Sequence, residues 1–305
     1  MPRYILKRVL LGLVALFVVS TLTFFLMFLV PGGPFLSEKT PSASTLAALE
    51  KKYGLDKPVI VQYGNYMTNV LKGDLGPSMK QRGRTVNDRI GTRFPISARL
   101  GGSAMVLALF AGIPLGCLAA LKRGRAGDNT ILVISTVGIA MPSFITSALL
   151  MYIFSLKLGW LPSIGLDGPK NYIMPVAALA FYPTAYITRL MRSSMLDVLG
   201  QDYMRTAQAK GLPWAVRIFK HALRNAVGPI ITYLGPALAF ILIGSFVVEG
   251  IFTIPGLGNS FVSSITNRDY TVIMGTTLFL AALLIGFNIL SDVLNKLLDQ
   301  RIQLK

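Results

Sequence analysis

Six apolar stretches, separated by polar and charged segments, set the pattern of this chain. They cover residues 9–30, 98–121, 129–156, 172–190, 229–250 and 272–294. A helix needs ~20 mostly apolar residues to cross a bilayer, and each stretch has about that length or more. The pattern therefore predicts an all-α membrane protein with six transmembrane helices.

The same pattern divides the chain into regions. An N-terminal tail and first span occupy 1–30, and an extracytoplasmic region follows at 31–97. Spans two to six form a core at 98–294, which contains a cytoplasmic hairpin at 191–228, and a short tail occupies 295–305.

The first apolar stretch has a second interpretation, a cleaved signal peptide. The apolar part of a signal peptide covers ~7–15 residues and ends at small residues. The stretch 9–30 is longer, and it ends in bulky residues before Pro31. We therefore expect a retained first helix.

The distribution of lysine and arginine predicts the orientation in the membrane. The segments expected inside carry sixteen such residues: three at the N-terminus, three in 122–125, seven in 189–224 and three in the tail. The two short outer loops carry three, Lys157, Lys170 and Arg268. The ten in 31–97 do not reverse the orientation, because long loops cross the membrane largely regardless of charge. Both termini are therefore expected in the cytoplasm.

Composition agrees with a membrane protein and excludes several functions. The chain is 53% hydrophobic and 14% charged, and its net charge is +17. The basic residues lie between apolar stretches, so topology and anionic lipid explain them and no nucleic-acid partner is expected. One cysteine, Cys117, and one histidine, His221, exclude an intrachain disulfide and a His/Cys metal cluster.

No catalytic constellation is apparent, so the chain is not expected to be an enzyme or to hold a cofactor or metal. A phosphate-binding loop needs Gly-Lys before Ser or Thr, and no Gly-Lys dipeptide occurs. ATP hydrolysis would therefore need a separate subunit.

The segment 202–229 is predicted to form a helix, a break and a second helix. Gly211 can take the left-handed conformation that ends a helix, and Pro213 suits the first turn of the next. The second helix is predicted to be amphipathic. One face holds Arg217, Lys220, His221 and Arg224, and the other holds Ala215, Ile218, Phe219, Ala222 and Ala226. A basic cytoplasmic loop without a partner is the simpler interpretation of this pattern.

This segment resembles the EAA loop of ABC-importer permeases in its dipeptide/oligopeptide variant. Arg205-Thr206-Ala207 stands where the general pattern has Glu-Ala-Ala, and Gly211 keeps the glycine. The later Ile-x-Leu-Pro becomes His221-Ala222-Leu223-Arg224. The resemblance implies that this loop couples the permease to an ATPase. The implied coupling residues are Arg205, Thr206, Ala207, Lys210, Gly211, Leu212 and His221.

A second resemblance to the same group lies after the fifth span. Its signature matches the segment from Val248 to Gly258 together with Arg268-Asp269-Tyr270. We consider Glu249, Pro255, Gly256, Gly258, Arg268 and Asp269 as candidates for an outer loop or gate. Glu249 has two interpretations, an ion pair or cap that fixes the loop and a contact with substrate or gate. Arg268 and Asp269 suit a local structural pair.

The extracytoplasmic region is expected to contain helices near 44–53 and 59–71. Pro31-Gly32-Gly33-Pro34 and the Gly73-Asp74-Leu75-Gly76 segment resemble motifs of the same permease group. Turn formation and contact with an external binding protein are both compatible with these motifs. Prolines and glycines inside spans two to five likewise fit either ordinary helix packing or an irregular pathway.

The resemblance as a whole implies a type I ABC importer permease for di- or oligopeptides in a bacterial or archaeal cytoplasmic membrane. The implied partners are a second related permease, two P-loop ATPases that bind ATP and Mg, an external binding protein and the lipid membrane. Nickel chelates, haem or glutathione are alternative substrates. A secondary transporter driven by an ion gradient is the alternative of another class.

Overall fold

The structure is a computed structural model that describes residues 2–29, 33–35 and 42–298. Within these residues the regular structure is helical, with one isolated antiparallel bridge between Pro77 and Thr85. The all-α prediction is confirmed. Pro31, Gly32, Arg301 and Lys305 lie outside the described residues.

Twelve α-helices and two π-helical segments follow one another along the described chain. They are α1 (Pro2–Leu29), α2 (Ala43–Tyr53), α3 (Val59–Leu71), α4 (Val86–Leu121), α5 (Ala126–Ala140), α6 (Ser143–Leu150), a π-helix (Met151–Lys157), α7 (Pro169–Leu199), α8 (Asp202–Ala209), a second π-helix (Val216–Ala222), α9 (Leu223–Ala226), α10 (Gly228–Ile251), α11 (Leu257–Thr266) and α12 (Tyr270–Leu298).

The described parts of the six predicted apolar stretches fall on these helices. Among the described residues, four helices are long and apolar enough to cross a membrane by themselves: α1, α4, α10 and α12. The helices on either side of Met141-Pro142 count as a fifth span if they are taken together, with a bend of 106° between them. The stretch 172–190 lies within α7, which carries Pro175 and Pro183 and is not among these spans.

The chain separates into two compact units. The first contains Ala98–Ile254 and the described part of Gly286–Lys305, and the second contains the described parts of Pro2–Ser97 and Pro255–Ile285. In the first unit, α7 packs against α5, α6 and α10.

Small residues allow close helix packing in the first unit. A Cβ at Gly116 would lie 2.6 Å from both the Met191 Cβ and the Thr188 carbonyl oxygen, so α4 and α7 touch there without a side chain between them. Gly235 of α10 meets Ser291 of α12 in the same way, at 2.5 Å from its Cβ. Close approach over small residues is typical of membrane helices.

The second unit has its own apolar core. Val86, Ile90, Leu257 and Val272 are buried there, and Leu75 packs against them. The helix α1 contacts α3 through aromatic side chains, with the Phe24 and Tyr63 rings 5.3 Å apart. The start of α4, the loop before it, α11 and the start of α12 therefore form one packed body.

Three boundaries differ from the sequence prediction. The helix α4 begins at Val86, before the apolar stretch, because Val86 and Ile90 enter the core of the second unit. The segment 251–271, predicted as a loop, contains α11, whose Leu257, Ser260 and Ser264 form a buried face. The helix α7 continues beyond residue 190 to Leu199. The helices predicted near 44–53 and 59–71 are confirmed as α2 and α3.

Candidate functional site

The turn between the two helices of the predicted coupling hairpin has the conformation predicted from the sequence. The helix α8 ends at Ala209, and Gly211 follows with φ +73°. The Leu212 N–H donates to the Ala207 carbonyl at 3.2 Å, and the Gly211 N–H donates to the Gln208 carbonyl at 2.9 Å. These two bonds are the Schellman arrangement, which requires a left-handed residue at the position of Gly211.

The second helix of the hairpin differs from its predicted amphipathic pattern. Of the predicted apolar face, Ile218, Ala222 and Ala226 are buried, but Ala215 and Phe219 are exposed. The cause is the π-helix over Val216–Ala222, in which each turn contains more residues than in an α-helix. The apolar face therefore shifts, and Phe219 moves to the surface.

The hairpin exposes aromatic as well as charged side chains. Tyr203, Trp214 and Phe219 are exposed to 41%, 55% and 64%. We call these three residues the aromatic surface of the hairpin. Of the seven predicted coupling residues, Arg205, Thr206, Lys210 and Gly211 are exposed, Leu212 and His221 are half-buried, and Ala207 is buried.

The segment from α8 to α9 is tied to α7, and α7 is tied to α5. The Ser194 hydroxyl of α7 donates to the Ala226 carbonyl at 2.8 Å. Two turns before the end of α7, the Arg192 guanidinium donates to both Asp128 carboxylate oxygens at 2.6 and 2.7 Å. The Gly124 N–H donates to the same carboxylate at 2.9 Å. Hydrogen bonds thus join α9 to α7, and α7 to the start of α5.

A cavity of 290 Å³ lies within the first unit, and two prolines contribute to its lining. Its lining includes Pro142 at the 106° bend, Pro183 of α7 and Tyr233 of α10. The Tyr186 and Tyr233 rings stack at 4.3 Å, and Tyr182 and Phe240 extend the stack. We call this the aromatic cavity.

A cavity of 240 Å³ lies within the second unit, and Tyr53, Asn65, Tyr66 and Tyr270 contribute to its lining. The Tyr66 hydroxyl is buried and has no hydrogen-bond partner among the described residues. Burial raises the pKa of Tyr66 to about 12, so the phenol stays protonated at neutral pH.

Glu249 is fully buried near the end of α10, in the first unit. Its carboxylate accepts a hydrogen bond from the Ser245 hydroxyl at 2.9 Å, and its carbonyl accepts the Ile254 N–H at 2.8 Å. Thr253 has φ +54° and occupies the left-handed position of this helix end. Glu249 thus takes part in the cap at the end of the fifth predicted span.

The other gate candidates lie in the second unit. Gly256 is the N-cap residue of α11, Pro255 precedes it, and Gly258 is buried in its first turn. Arg268 has φ +57° at the end of α11. The buried Asp269 carboxylate accepts hydrogen bonds from the Ser78 hydroxyl at 2.5 Å and the Met79 N–H at 3.0 Å. Asp269 therefore holds the loop before α4 against the start of α12.

Sequence reasoning did not find two of these features. It noted the prolines of the aromatic cavity, but not the stack of Tyr182, Tyr186 and Tyr233. It also did not pair Asp128 with Arg192, which are 64 residues apart. In the described part of the chain, no group of three or more His, Cys, Asp or Glu residues could hold a metal ion.

The sequence matches two profiles of transport proteins that together cover almost the whole chain. Residues 112–304 match the profile described as binding-protein-dependent transport system inner membrane component. Residues 1–101 match the profile of the N-terminal part of binding-protein-dependent transport system membrane components.

Individual relatives match over their full length. The oligopeptide transport system permease protein OppB of Haemophilus influenzae is 43% identical, covering 99% of this chain and 100% of its own. The dipeptide transport system permease protein DppB of Bacillus subtilis is 46% identical, covering 100% of this chain and 99% of its own. The glutathione transport system permease protein GsiC of Salmonella choleraesuis is 40% identical, with full coverage of both chains.

Proposed function

Since the chain belongs to the family of binding-protein-dependent transport system inner membrane components, we propose that it forms half of the membrane pathway of an ATP-driven peptide importer. The observation that carries this proposal is the end-to-end similarity to an oligopeptide and a dipeptide permease, at 43% and 46% identity. The chain is a multi-pass membrane protein and a transport component, and ATP hydrolysis falls to partner subunits.

The proposed assembly contains a second related permease, two P-loop ATPases that bind ATP and Mg, and an external substrate-binding protein. Both termini lie in the cytoplasm, according to the lysine and arginine count, and the membrane is the cytoplasmic membrane of a bacterium or archaeon. In this orientation the hairpin faces the ATPases, while α2, α3 and α11 face the outer aqueous phase.

We assign coupling to the hairpin. Its exposed Arg205 and Lys210 supply charge, and its aromatic surface supplies apolar contact area for a groove on one ATPase. Buried aromatic anchors contribute much of the energy of protein interfaces, so three exposed ones on a short hairpin suit a docking role. Gly211 fixes the turn between the two helices, and Ser194 transmits the movement to α7.

We assign the aromatic cavity to the translocation pathway. Interrupted helices are tolerated at membrane depth where they are buried in protein or line a cavity. Stacked tyrosines offer flat apolar faces for peptide side chains and hydroxyls for peptide groups. Movement of the hairpin would act on this cavity through α7, which carries Tyr182, Pro183 and Tyr186.

The gate candidates divide into two roles. Five of them lie in or next to α11, in the packed part of the second unit, and we propose that they shape the outer loop and do not contact substrate. These residues are Pro255, Gly256, Gly258, Arg268 and Asp269. Glu249 is assigned to the cap of α10, where its carboxylate and its carbonyl both accept hydrogen bonds.

Glutathione is the second candidate substrate, because a glutathione permease is 40% identical over the whole chain. Glutathione is itself a short peptide with free carboxylates, so the two candidates share their chemistry. No observation favours nickel chelates or haem. Family membership favours an ATP-driven importer over a transporter driven by an ion gradient.

The test is gentle purification of the tagged chain from its native membrane, followed by mass spectrometry and uptake of labelled peptides. We expect two P-loop ATPases and a second permease to copurify, and deletion of the gene to abolish uptake of di- or oligopeptides. Recovery of the chain alone or as a homo-oligomer would contradict the proposal. Uptake of labelled glutathione, compared in the same cells, decides between the two substrates.

A further inference from the structure

Two helices of the second unit place cationic and hydroxyl side chains around one small cavity. Arg89 and Arg93 are one turn apart on the first part of α4, and Lys80 lies in the loop before it. Ser260 and Ser263 of α11 line the opposite side, with Asn267 just beyond its end. The cavity has a volume of 170 Å³. We call it the cationic pocket.

The donors of this pocket exceed its acceptors. The Arg89 Nη1 donates to the Ser260 hydroxyl at 3.4 Å, while its Nε is buried and has no partner among the described residues. Neither Arg89 nor Arg93 forms an ion pair within the described chain. The buried Nε–H of Arg89 is thus left unpaired, which is costly, and a bound anion would remove that cost.

The one carboxylate in the lining, Asp269, attracts Arg89 electrostatically, but among the described residues it forms no hydrogen bond with Arg89 or Arg93. Asp269 accepts the Ser78 hydroxyl on Oδ2, and on Oδ1 it accepts the Met79 N–H and the Thr271 hydroxyl, at 3.0 and 3.2 Å. Three cations thus line the same cavity as a carboxylate that already accepts hydrogen bonds. An adjoining cavity shares Arg89 and Arg93 and adds Arg84 together with the carboxylate of Asp88, so its lining carries three cations and one acid.

The chemistry of the lining selects a carboxylate held by a larger molecule. A guanidinium binds a carboxylate through two parallel hydrogen bonds, and the serine hydroxyls and Asn267 amide can add further donors. The volume of 170 Å³ is below the ~300–1,000 Å³ of pockets that enclose a whole small ligand. A side chain that projects from a protein surface fits this volume, whereas a peptide of several residues does not.

We propose that the cationic pocket receives an aspartate or glutamate side chain of the external binding protein and fixes its position on this permease. The inference rests on the proposed function, which places residues 80–93 and 260–269 on the outer side of the membrane. Lys80, Ser263 and Asn267 are exposed at the rim, where a docking protein would meet them. Charge complementarity of this kind sets the orientation and rate of docking.

The experiment uses the complete importer in lipid nanodiscs and its own binding protein loaded with peptide. The readout is the binding-protein concentration that gives half-maximal stimulation of ATP hydrolysis. In both Arg93→Gln and Arg89→Lys we expect this concentration to rise about tenfold. Arg93→Gln removes one charge-assisted contact. Arg89→Lys keeps the charge but loses the two parallel hydrogen bonds that a guanidinium forms with a carboxylate. Arg82→Gln is the matched control, since Arg82 is exposed in the same loop, does not line the pocket and removes the same charge.

A photoreactive residue in place of Lys80 provides a second measurement that does not depend on the stability of the arginine variants. We expect it to cross-link to the binding protein, and the cross-linked segment to contain an acidic residue. Replacing that acid with its amide should raise the half-maximal concentration as Arg93→Gln does, and combining the two changes should add little further.

Several outcomes would overturn the pocket assignment. One is an equal effect of Arg93→Gln and Arg82→Gln. Another is that the variants change only the KM for peptides with a free C-terminal carboxylate and leave the KM for amidated peptides unchanged. The ligand of the pocket would then be the transported peptide. An effect seen only with anionic lipid would assign the pocket to a phosphate headgroup. If the unmodified importer shows no stimulation by any binding protein, the proposed function itself fails.

Discussion

At the scale of single residues, Gly116 is one of the glycines that let α4 approach α7 closely. A Cβ at Gly116 would lie 2.6 Å from a backbone carbonyl, which cannot move aside as a side chain can. Gly116→Ala should therefore destabilise the protein by ~1–3 kcal/mol, the usual cost of overpacking. The measurement is the apparent melting temperature of the purified protein in detergent.

The matched control for this change lies on the same helix. A Cβ at Gly102 would meet no atom within 4 Å. Gly102→Ala should leave the melting temperature unchanged or raise it, because alanine favours a helix by up to ~1 kcal/mol over glycine. Equal effects of the two substitutions would argue against the close contact between α4 and α7.

Thr253 is a second position where one residue determines a local conformation. It holds a left-handed conformation, φ +54°, at the end of α10, where β-branched residues are rare. Thr253→Gly should raise the apparent melting temperature, because relief of ~1–2 kcal/mol of strain exceeds the added flexibility of glycine.

The comparison for Thr253 is an exposed threonine in a regular helix. Thr130 lies in α5. Thr130→Gly should lower the free energy of unfolding by the ordinary helix penalty of ~0.5 kcal/mol or more, and the melting temperature with it. If both substitutions are destabilising to the same extent, the left-handed conformation of Thr253 is not strained.

At the scale of elements, the turn of the hairpin sets the geometry that the proposed docking requires. Gly211 has φ +73°, and no atom lies near the position of a Cβ, so the backbone conformation alone opposes a side chain. Gly211→Val should uncouple ATP hydrolysis from peptide uptake while the protein remains in the membrane. Peptide uptake and ATP hydrolysis, measured on the same vesicles, give the number of peptides transported per ATP hydrolysed.

The conservative variant separates conformation from side-chain bulk. Asparagine tolerates the left-handed region better than other residues with a Cβ, so Gly211→Asn should retain more coupling than Gly211→Val. Normal coupled uptake in Gly211→Val would remove the docking assignment. Loss of the protein from the membrane in both variants would show instead that the turn is needed for folding.

At the scale of the whole molecule, the distribution of lysine and arginine predicts the orientation in the membrane, and cysteine labelling tests it. In a Cys117→Ala background, Lys80→Cys and Asp167→Cys should react with an impermeant maleimide in intact cells. Lys122→Cys and Lys210→Cys should react only after the membrane is opened. The reverse pattern would invert the topology and remove both the docking and the pocket proposals.

The sequence alone established the broad outline of this protein. The spacing of apolar residues determined that the chain is helical and spans a membrane, because every span must bury its backbone polar groups in its own hydrogen bonds. The turn at Gly211 and the helices α2 and α3 were also readable, since local conformational preferences decide them. The similarity to permeases supplied the family.

Tertiary structure decided the features that depend on residues far apart in the chain. Phe219 is exposed because a π-helix shifts the pattern of the hairpin, and a regular period of 3.6 residues does not foresee it. The pairing of Asp128 with Arg192 and the union of Arg89 with Ser260 join segments more than sixty residues apart. Sequence spacing predicts which residues share a helix face, but only packing determines which faces meet and what they enclose.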